Sequence, residues 1–244
     1  MKAPDCSPKI ISKLICEILN EYQDFKSGTK SQYSDFDFIL LGALIEKETG
    51  LRLDDLYRSI ITDPLKLSLD LCFLPVGKPS IEKKRSIAAT EVCGWRNKLL
   101  QGEVHDEHSW LAGGVAGHAG LFGSIKGVMG LCEKILDLWK DRSVLEAFPN
   151  TLLQYAVTNK NPVGSWCLGF DTPSLGKSSS GRYFSQRSVG HLGFSGTSFW
   201  IDPDRDIIMV LLTNRIHPSR ENIKIREFRP FFHNYLMERI CSDL

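Results

Sequence analysis

Two short stretches hold the residue types that acid–base and acyl-transfer chemistry use. In KSQYSDFDFILLG, residues 30–42, Tyr33 stands two residues before Asp35 at the mouth of an apolar, helix-like run. A phenol held among polar groups can pass protons to and from a nucleophile's partner. The same residue can also be only an aromatic packed at a helix entry. In GHLGFSGTS, residues 190–198, His191 lies on a strand-like segment, either hydrogen-bonded within a sheet or at the mouth of a site. Ser195 in GFSGT resembles a nucleophile turn only loosely, because G-x-S-x-G needs glycine where position 197 is threonine.

Two further stretches invite a reading and resist it. VHDEH places His105, Asp106 and His108 together, but it is neither H-E-x-x-H nor an i, i+4 pair on one helix face. A loop packed near a cleft is expected there, and no metal. GGVAGHAGLFGS lacks the lysine and the preceding strand of a phosphate cradle. Its glycines suit close backbone packing, where positive φ is tolerated. His118 within it either lines a cleft or caps a turn.

The elements that must position these residues follow from periodicity. Ser7-Pro8 opens a first helix, with Ile10, Ile11, Leu14, Ile15, Ile18 and Leu19 on one face. A second helix starts near Ser34 or Asp35, is apolar nearly all round and so is expected to be buried, and ends at Gly50. A third covers about LDDLYRSII and stops before Pro64. Residues 64–123 read as a long ordered excursion without clean periodicity. GSIKGVMGLCEKILDLWK is an amphipathic helix with Ser124 as N-cap. SWCLGFDT, SVGHLGFSGTSFWIDP and RDIIMVLLTNR read as three strands, the last two joined by the DPDRD turn. IIMVLL is apolar on both faces, which predicts a central strand covered on both sides. EFRPFFHNYLMERI gives a C-terminal helix entered at Pro230. The class is α+β, with a mainly helical part over 10–160 and antiparallel strands plus a helix over 161–244, in one domain.

Bulk properties exclude several functions. In 244 residues, 30 Lys and Arg balance 29 Asp and Glu, so nothing argues for nucleic acid or an anionic membrane surface. No window reaches the length of a membrane span. Seven cysteines without C-x-x-C spacing favour free thiols and a reducing compartment. The start MKAPDCSPKIISKLI is not a secretory signal, so the chain as written is expected in the cytoplasm.

YSDFDFILLGALIEKETG, GEVHDEHSWLAGGVAGHAGLFGS and GHLGFSGTSFWIDPDRDIIMVLLTNRIHP, in that order, resemble the serine beta-lactamase and penicillin-binding-protein-like hydrolases, specifically the class C-like branch with its esterases and D-aminopeptidases. The resemblance implies a beta-lactamase/transpeptidase-like fold, partial here, with an antiparallel sheet flanked by helices and a mostly helical subdomain. It implies acyl transfer by the serine of an S-x-x-K motif on a helix, with the lysine helping to remove its proton. Tyr33 resembles the tyrosine of the second motif, Y-x-N, with Asp35 where Asn is more usual. His191, Leu192 and Gly193 resemble the third motif, K-T-G or H-x-G, on the strand that pairs with substrate. The Phe194 N–H would then be an oxyanion donor. Leucine at 192 removes a hydroxyl that could bind a substrate carboxylate, which suits an ester or small amide better than penicillin. Asp35, His118 and Leu192 would line the site, and no cofactor is implied.

The nucleophile is not identified. Ser27–Lys30, Ser80–Lys83 and Ser174–Lys177 satisfy S-x-x-K, but none opens a buried apolar helix. The chain resembles the family's C-terminal two-thirds, with the nucleophile helix and first strands absent. Such a piece would leave a sheet edge and the underside of helix 36–47 uncovered, which predicts self-association or a partner. A missing N-terminal segment would also reopen the question of export.

Overall fold

The computed structural model describes residues 8–22, 24–77 and 86–242. Helix α1 spans Pro8–Asn20, with Pro8 at the first position, where its fixed φ is already helical. Helix α2 spans Asp35–Thr49. Extended Ser34 caps it, its hydroxyl accepting from the Phe36 N–H at 3.1 Å, and Gly50 at φ 69° closes it with its N–H on the Glu46 carbonyl. Asp35 and Asp37 lie in the first turn, where carboxylates favour the positive end of the helix dipole. Burial differs from expectation. Only Ile39 and Gly42 of α2 are buried, while Phe36, Leu41, Leu44 and Ile45 are exposed, because within this chain other elements cover only one side of the helix.

Helix α3 (Leu53–Tyr57) runs into a π-helical turn, Arg58–Thr62, and ends before Pro64. The excursion over 64–123 is ordered by two-stranded pairs too short to show a period. Strand β1 (Leu71–Phe73) pairs antiparallel with β4 (Leu121–Gly123), and β2 (Val92–Cys93) with β3 (Lys98–Leu99). A short helix α4, Glu107–Leu111, lies between β3 and β4. Helices α5 (Ile125–Trp139) and α6 (Asn150–Thr158) follow. Ser124 caps α5 by accepting from the Gly127 N–H at 3.1 Å.

The main sheet has the order β5 (Val189–Leu192), β6 (Ser198–Asp202), β7 (Ile207–Leu211), all antiparallel. Successive side chains point to opposite faces of a strand, and the sheet obeys this closely. Phe199, Ile201, Ile208 and Val210 join Cys132, Leu136 and Trp139 of α5 and Leu153 and Val157 of α6 in one core. Trp200, Ile207 and Met209 join Phe184, Phe232 and Met237 in the other, with the last two contributed by helix α7 (Ile225–Ser242). Ile207–Leu211 is therefore covered on both faces, as its composition predicts. It stands at the end of the described strand order, however, because β6 pairs with both of its hairpin neighbours.

Three boundaries need correction. SVGHLGFSGTSFWIDP is two strands, because Gly193–Thr197 folds back as a turn with Gly196 at φ 104°. SWCLGFDT is not a strand. It is a tight turn with a Trp166–Asp171 bridge, and Asp171 makes a single bridge to Gly190. Pro230 lies inside α7 rather than at its entry: the helix begins at Ile225, just after a turn in which the Asn222 side chain accepts from the Lys224 N–H.

The chain divides into two compact units. One holds the residues up to Ser27, Gln32–Gly127 and His217–Ser219; the other holds Gly28–Ser31, Val128–Ile216 and the residues from Arg220 onward. No helix among the described residues is long and apolar enough to cross a membrane. Cysteines 16, 72, 93, 132 and 167 are free.

Candidate functional site

The candidate residues fall into two groups, one in each unit. Tyr33, Asp35 and His118 belong to the first. Tyr33 sits just ahead of α2 with more than half its surface exposed. Burial of the remainder, then the charge of Asp35 and a hydrogen bond to its carboxylate, and last the Asp106 charge, all raise the phenol's pKa. Tyr33 is thus held as a proton donor unless a cation comes alongside.

Asp106 is the pivot of this group. It caps α4, with Oδ1 accepting from the Ser109 N–H at 2.7 Å, and the same oxygen accepts from His118 Nε2 at 2.8 Å. Burial pushes its pKa up, but the bonds from His118 and Ser109 outweigh that and hold the carboxyl below its ordinary value. The His118 side chain is only 2% exposed, and its Nδ1 has no hydrogen-bond partner. The glycines of GGVAGHAG explain its placement. A Cβ on Gly117 would lie 2.1 Å from the Phe38 carbonyl oxygen, and one on Gly42 would lie 3.2 Å from the Gly117 nitrogen. Only a glycine pair lets this loop lie on the backbone of α2. A cleft of about 400 Å³, open mouth included, is lined there by Ile39, Gly42, Glu46, Leu53, His108 and His118.

Sequence reasoning missed Arg96, which holds the segment leading to Asp106. Its guanidinium donates to the Val104 and His105 carbonyls at 2.7 and 2.6 Å, beside the rings of Trp95 and Trp110. Neighbouring His105 is tied to Glu91 at 2.6 Å.

His191, Leu192, Gly193 and Phe194 share the β5–β6 hairpin of the second unit. Half-buried His191 pairs with Phe199, its Nδ1 lies 3.0 Å from the Leu192 carbonyl, and its ring centroid is 5.6 Å from that of Trp166. The Gly193 N–H donates to the Thr197 carbonyl at 2.8 Å. A Cβ on Gly193 would collide with Thr197 Oγ1, 2.1 Å away. The turn is pinned by a residue that sequence reasoning missed. Buried Arg229 of α7 donates to the carbonyls of Gly193, Thr197 and Gly196 at 2.7, 2.9 and 3.2 Å. Arg215 donates to the Phe194 carbonyl at 2.8 Å, with its guanidinium 4.4 Å from that ring's centroid. A signal existed for neither arginine, since each acts at more than twenty residues' distance along the chain.

Ser198 lies 3.3 Å from His233 Nε2, but both are buried, so the pair is closed to substrate. Ser27–Lys30 is a turn and Ser174–Lys177 a loop; Ser80–Lys83 lies outside the described residues.

Comparison with known proteins identifies the family. Residues 12–229 match the Beta-lactamase family, so the chain belongs to that family of serine beta-lactamase and penicillin-binding-protein-like hydrolases. It is 32% identical over 209 residues to an N-acetylmuramyl-L-alanine amidase of Bacillus subtilis, covering 80% of this chain and 46% of that protein. The chain spans about half the length of the curated relatives it matches. Among solved structures it shares the fold of an unliganded simvastatin synthase from Aspergillus terreus, with a TM-score of 0.63 at 16% identity, covering 95% of this chain and 61% of that one. A beta-lactamase from Mycobacterium bovis gives a TM-score of 0.60 at 18% identity, covering 88% and 66%. The α+β reading and the beta-lactamase-like fold therefore stand.

Proposed function

We propose that this chain carries part of the acyl-transfer site of a serine hydrolase acting on a small ester or amide. The single observation that carries the reading is the β5–β6 hairpin, whose His191–Phe194 backbone is fixed by the Arg229 clamp. A preorganised turn of this kind can aim an N–H at the charge that develops on a carbonyl oxygen. Tyr33 relays protons, His191 supplies a hydrogen bond or positive charge, Gly193 offers the edge to substrate, and the Phe194 N–H is one oxyanion donor. Asp35, His118 and Leu192 line the site. The raised pKa of Tyr33 fits a relay that waits for a lysine: only a cation beside the phenol would let it give up its proton. The serine and lysine are supplied by an S-x-x-K segment that is not among these 244 residues. Water then releases the acyl group, and no cofactor enters the reaction. The Bacillus relative's name, an amidase, supports an amide substrate. Exposed Leu41 and Leu44 of α2 and the free edge of β7 are where a covering segment or a second copy would lie.

A second reading has one observation in its favour. Neither described S-x-x-K match lies on a helix, so the chain could be a non-catalytic binding module that keeps a cleft. Mass spectrometry after a fluorophosphonate or penicillin probe separates the two. The acyl-transfer reading expects no labelling of the 244-residue chain alone. It expects one labelled serine per molecule once a relative's S-x-x-K segment is fused or co-expressed, and loss of that labelling in Tyr33→Phe. Labelling in neither form supports the binding module. Stoichiometric labelling of any serine in the chain alone rejects both.

A further inference from the structure

The outer edge of β5 is stopped partway along its length. In an antiparallel pair, alternate residues bond across to the partner strand, and those between turn their N–H and C=O the other way. The Gly193 N–H donates to the Thr197 carbonyl, so Val189, His191 and Gly193 face the β6 side, and Gly190 and Leu192 face the outer edge. At Gly190 that edge is taken. The Gly190 N–H donates to the Asp171 carbonyl at 2.9 Å, and the Asp171 N–H donates to the Gly190 carbonyl at 2.8 Å. Asp171 is itself fixed. Its buried carboxylate accepts from Ser165 Oγ at 2.6 Å and from the Thr172 N–H at 2.9 Å. Thr172 Oγ1 donates to the Ser165 carbonyl at 2.6 Å and closes the turn behind it. Leu192, the next outward residue, is open. Among the described residues its N–H donates to no backbone carbonyl. Its carbonyl has His191 Nδ1 at 3.0 Å and keeps a second lone pair. Beyond it stands Phe194, whose carbonyl already accepts from Arg215.

We propose that Asp171 sets the length of substrate this site accepts. It caps the β5 edge at Gly190, so the site pairs with a single residue flanked by amide or ester groups at Leu192 and turns away a peptide extended past it. A chain laid on a sheet edge gains its affinity from main-chain hydrogen bonds, made at every second residue. Two residues along a strand span about 6.7 Å. A substrate residue paired with Leu192 would therefore bring the next pairing residue of its chain onto Asp171. To continue, the chain would have to break both bonds of the Asp171–Gly190 bridge to make two of the same kind. It would also have to uncover a buried carboxylate. Elongation in this direction thus brings no affinity. The inference rests on the acyl-transfer reading only in calling the paired molecule a substrate; the capped edge belongs to β5 in either case.

The test follows the amide signals of the full chain by NMR during titration with two probes. N-acetyl-alanine methylamide offers one residue, and N-acetyl-tetra-alanine methylamide offers an extended chain. The short probe should shift the Leu192 N–H. The long probe should bind within about 3-fold of the short one, less than one net hydrogen bond is worth, and leave the Gly190 signal in place. Asp171→Pro lacks the N–H that holds the Gly190 carbonyl. In that variant the long probe should bind about 10-fold more tightly than the short one, the return on one or two net hydrogen bonds. If Asp171→Pro fails to fold, the comparison in the parent chain decides alone. A long probe that binds the parent about 10-fold more tightly and shifts Gly190 overturns the proposal, as does a short probe that leaves Leu192 unmoved. The serine-labelling experiment uses neither probe. A chain that labels with its S-x-x-K segment but prefers the long probe refutes this inference alone. One that never labels yet keeps the length limit refutes only the acyl-transfer reading.

Discussion

His233 should make the fold sensitive to mild acid. It lies on α7 with no exposed surface, its Nδ1 2.9 Å from the Ser179 carbonyl and its Nε2 3.3 Å from Ser198 Oγ. Phe184 packs edge-on at 6.1 Å. Burial is the main force that pushes its pKa down to about 4, and the positive charge of Arg229 adds to it against the Ser179 bond. In the unfolded chain the ring titrates near 6.5. Between those values the unfolded chain binds a proton that the folded chain refuses, so stability is complete above about pH 6.5 and falls as pH drops toward 4. The full gap is worth about 3 kcal/mol, at roughly 1.4 kcal/mol per tenfold change in proton binding. Moving from pH 7.5 to pH 5 should therefore remove about 2 kcal/mol, or about 1 M from a urea midpoint at a typical slope of about 2 kcal/mol per M. The measurement stops at pH 5, because carboxylates begin to contribute below it. Asp202, held low despite burial by Ser185 and Arg205, loses stability there, while Asp171, pushed up by burial, gains it. His233→Gln keeps a hydrogen-bonding end and cannot titrate. Its urea midpoint should vary by about 1 M less than that of the parent over the same range. Equal pH slopes in the two proteins would refute the assignment.

Two substitutions test the hairpin that carries the proposed function. Arg229→Met keeps the methylene packing and leaves the carbonyls of Gly193, Gly196 and Thr197 without their donor. It should cost about 3 kcal/mol by urea denaturation, and a loss below about 0.5 kcal/mol would mean that the turn holds itself. In Gly190→Ala the new Cβ would lie 2.3 Å from the Phe199 carbonyl oxygen and 2.6 Å from the buried Trp200 ring. Neither neighbour can yield, so β5 must shift from β6 at about 3 kcal/mol, the upper range of overpacking costs. A parental melting temperature in Gly190→Ala would show that the strands are less tightly apposed than described.

What the sequence made legible was chemistry completed within a few residues. Ser34 and Gly50 bound α2 because an N-cap hydroxyl and a left-handed C-cap act on backbone groups two to four positions away. The DPDRD turn ended one strand and began the next, and the unbroken apolar run IIMVL showed two covered faces. The same logic failed at GHLGFSGTSFW, where the strand-like run on both sides of Gly193–Thr197 hid the turn. No turn signal outweighs the fact that Gly190 and Trp200 must pair across it. SWCLGFDT failed in the opposite direction: it has a strand's composition, but its backbone joins the sheet only through the single bridge from Asp171 to Gly190 among the described residues.

The site shows the limit most clearly. Tyr33 and His191 could be singled out because each sits in a short run that resembles a family motif. Asp106, His118 and Arg229 could not be assigned their partners, because their bonds cross 12 residues in one case and 32 to 36 in the other. Contacts of that span are fixed by backbone approach, and here the approach is made by glycines. Gly117 lies on the Phe38 carbonyl, and Gly193 lies on Thr197. Glycine is the residue whose local preference says least about where the chain goes next. A run such as GGVAGHAG therefore shows that a close approach occurs without naming the surface approached. The identity of that surface decides whether His118 caps a turn or lines a cleft. Since the surface is the start of α2, directly after Tyr33 and Asp35, the glycine loop ties the Asp106–His118 pair to the proposed relay tyrosine.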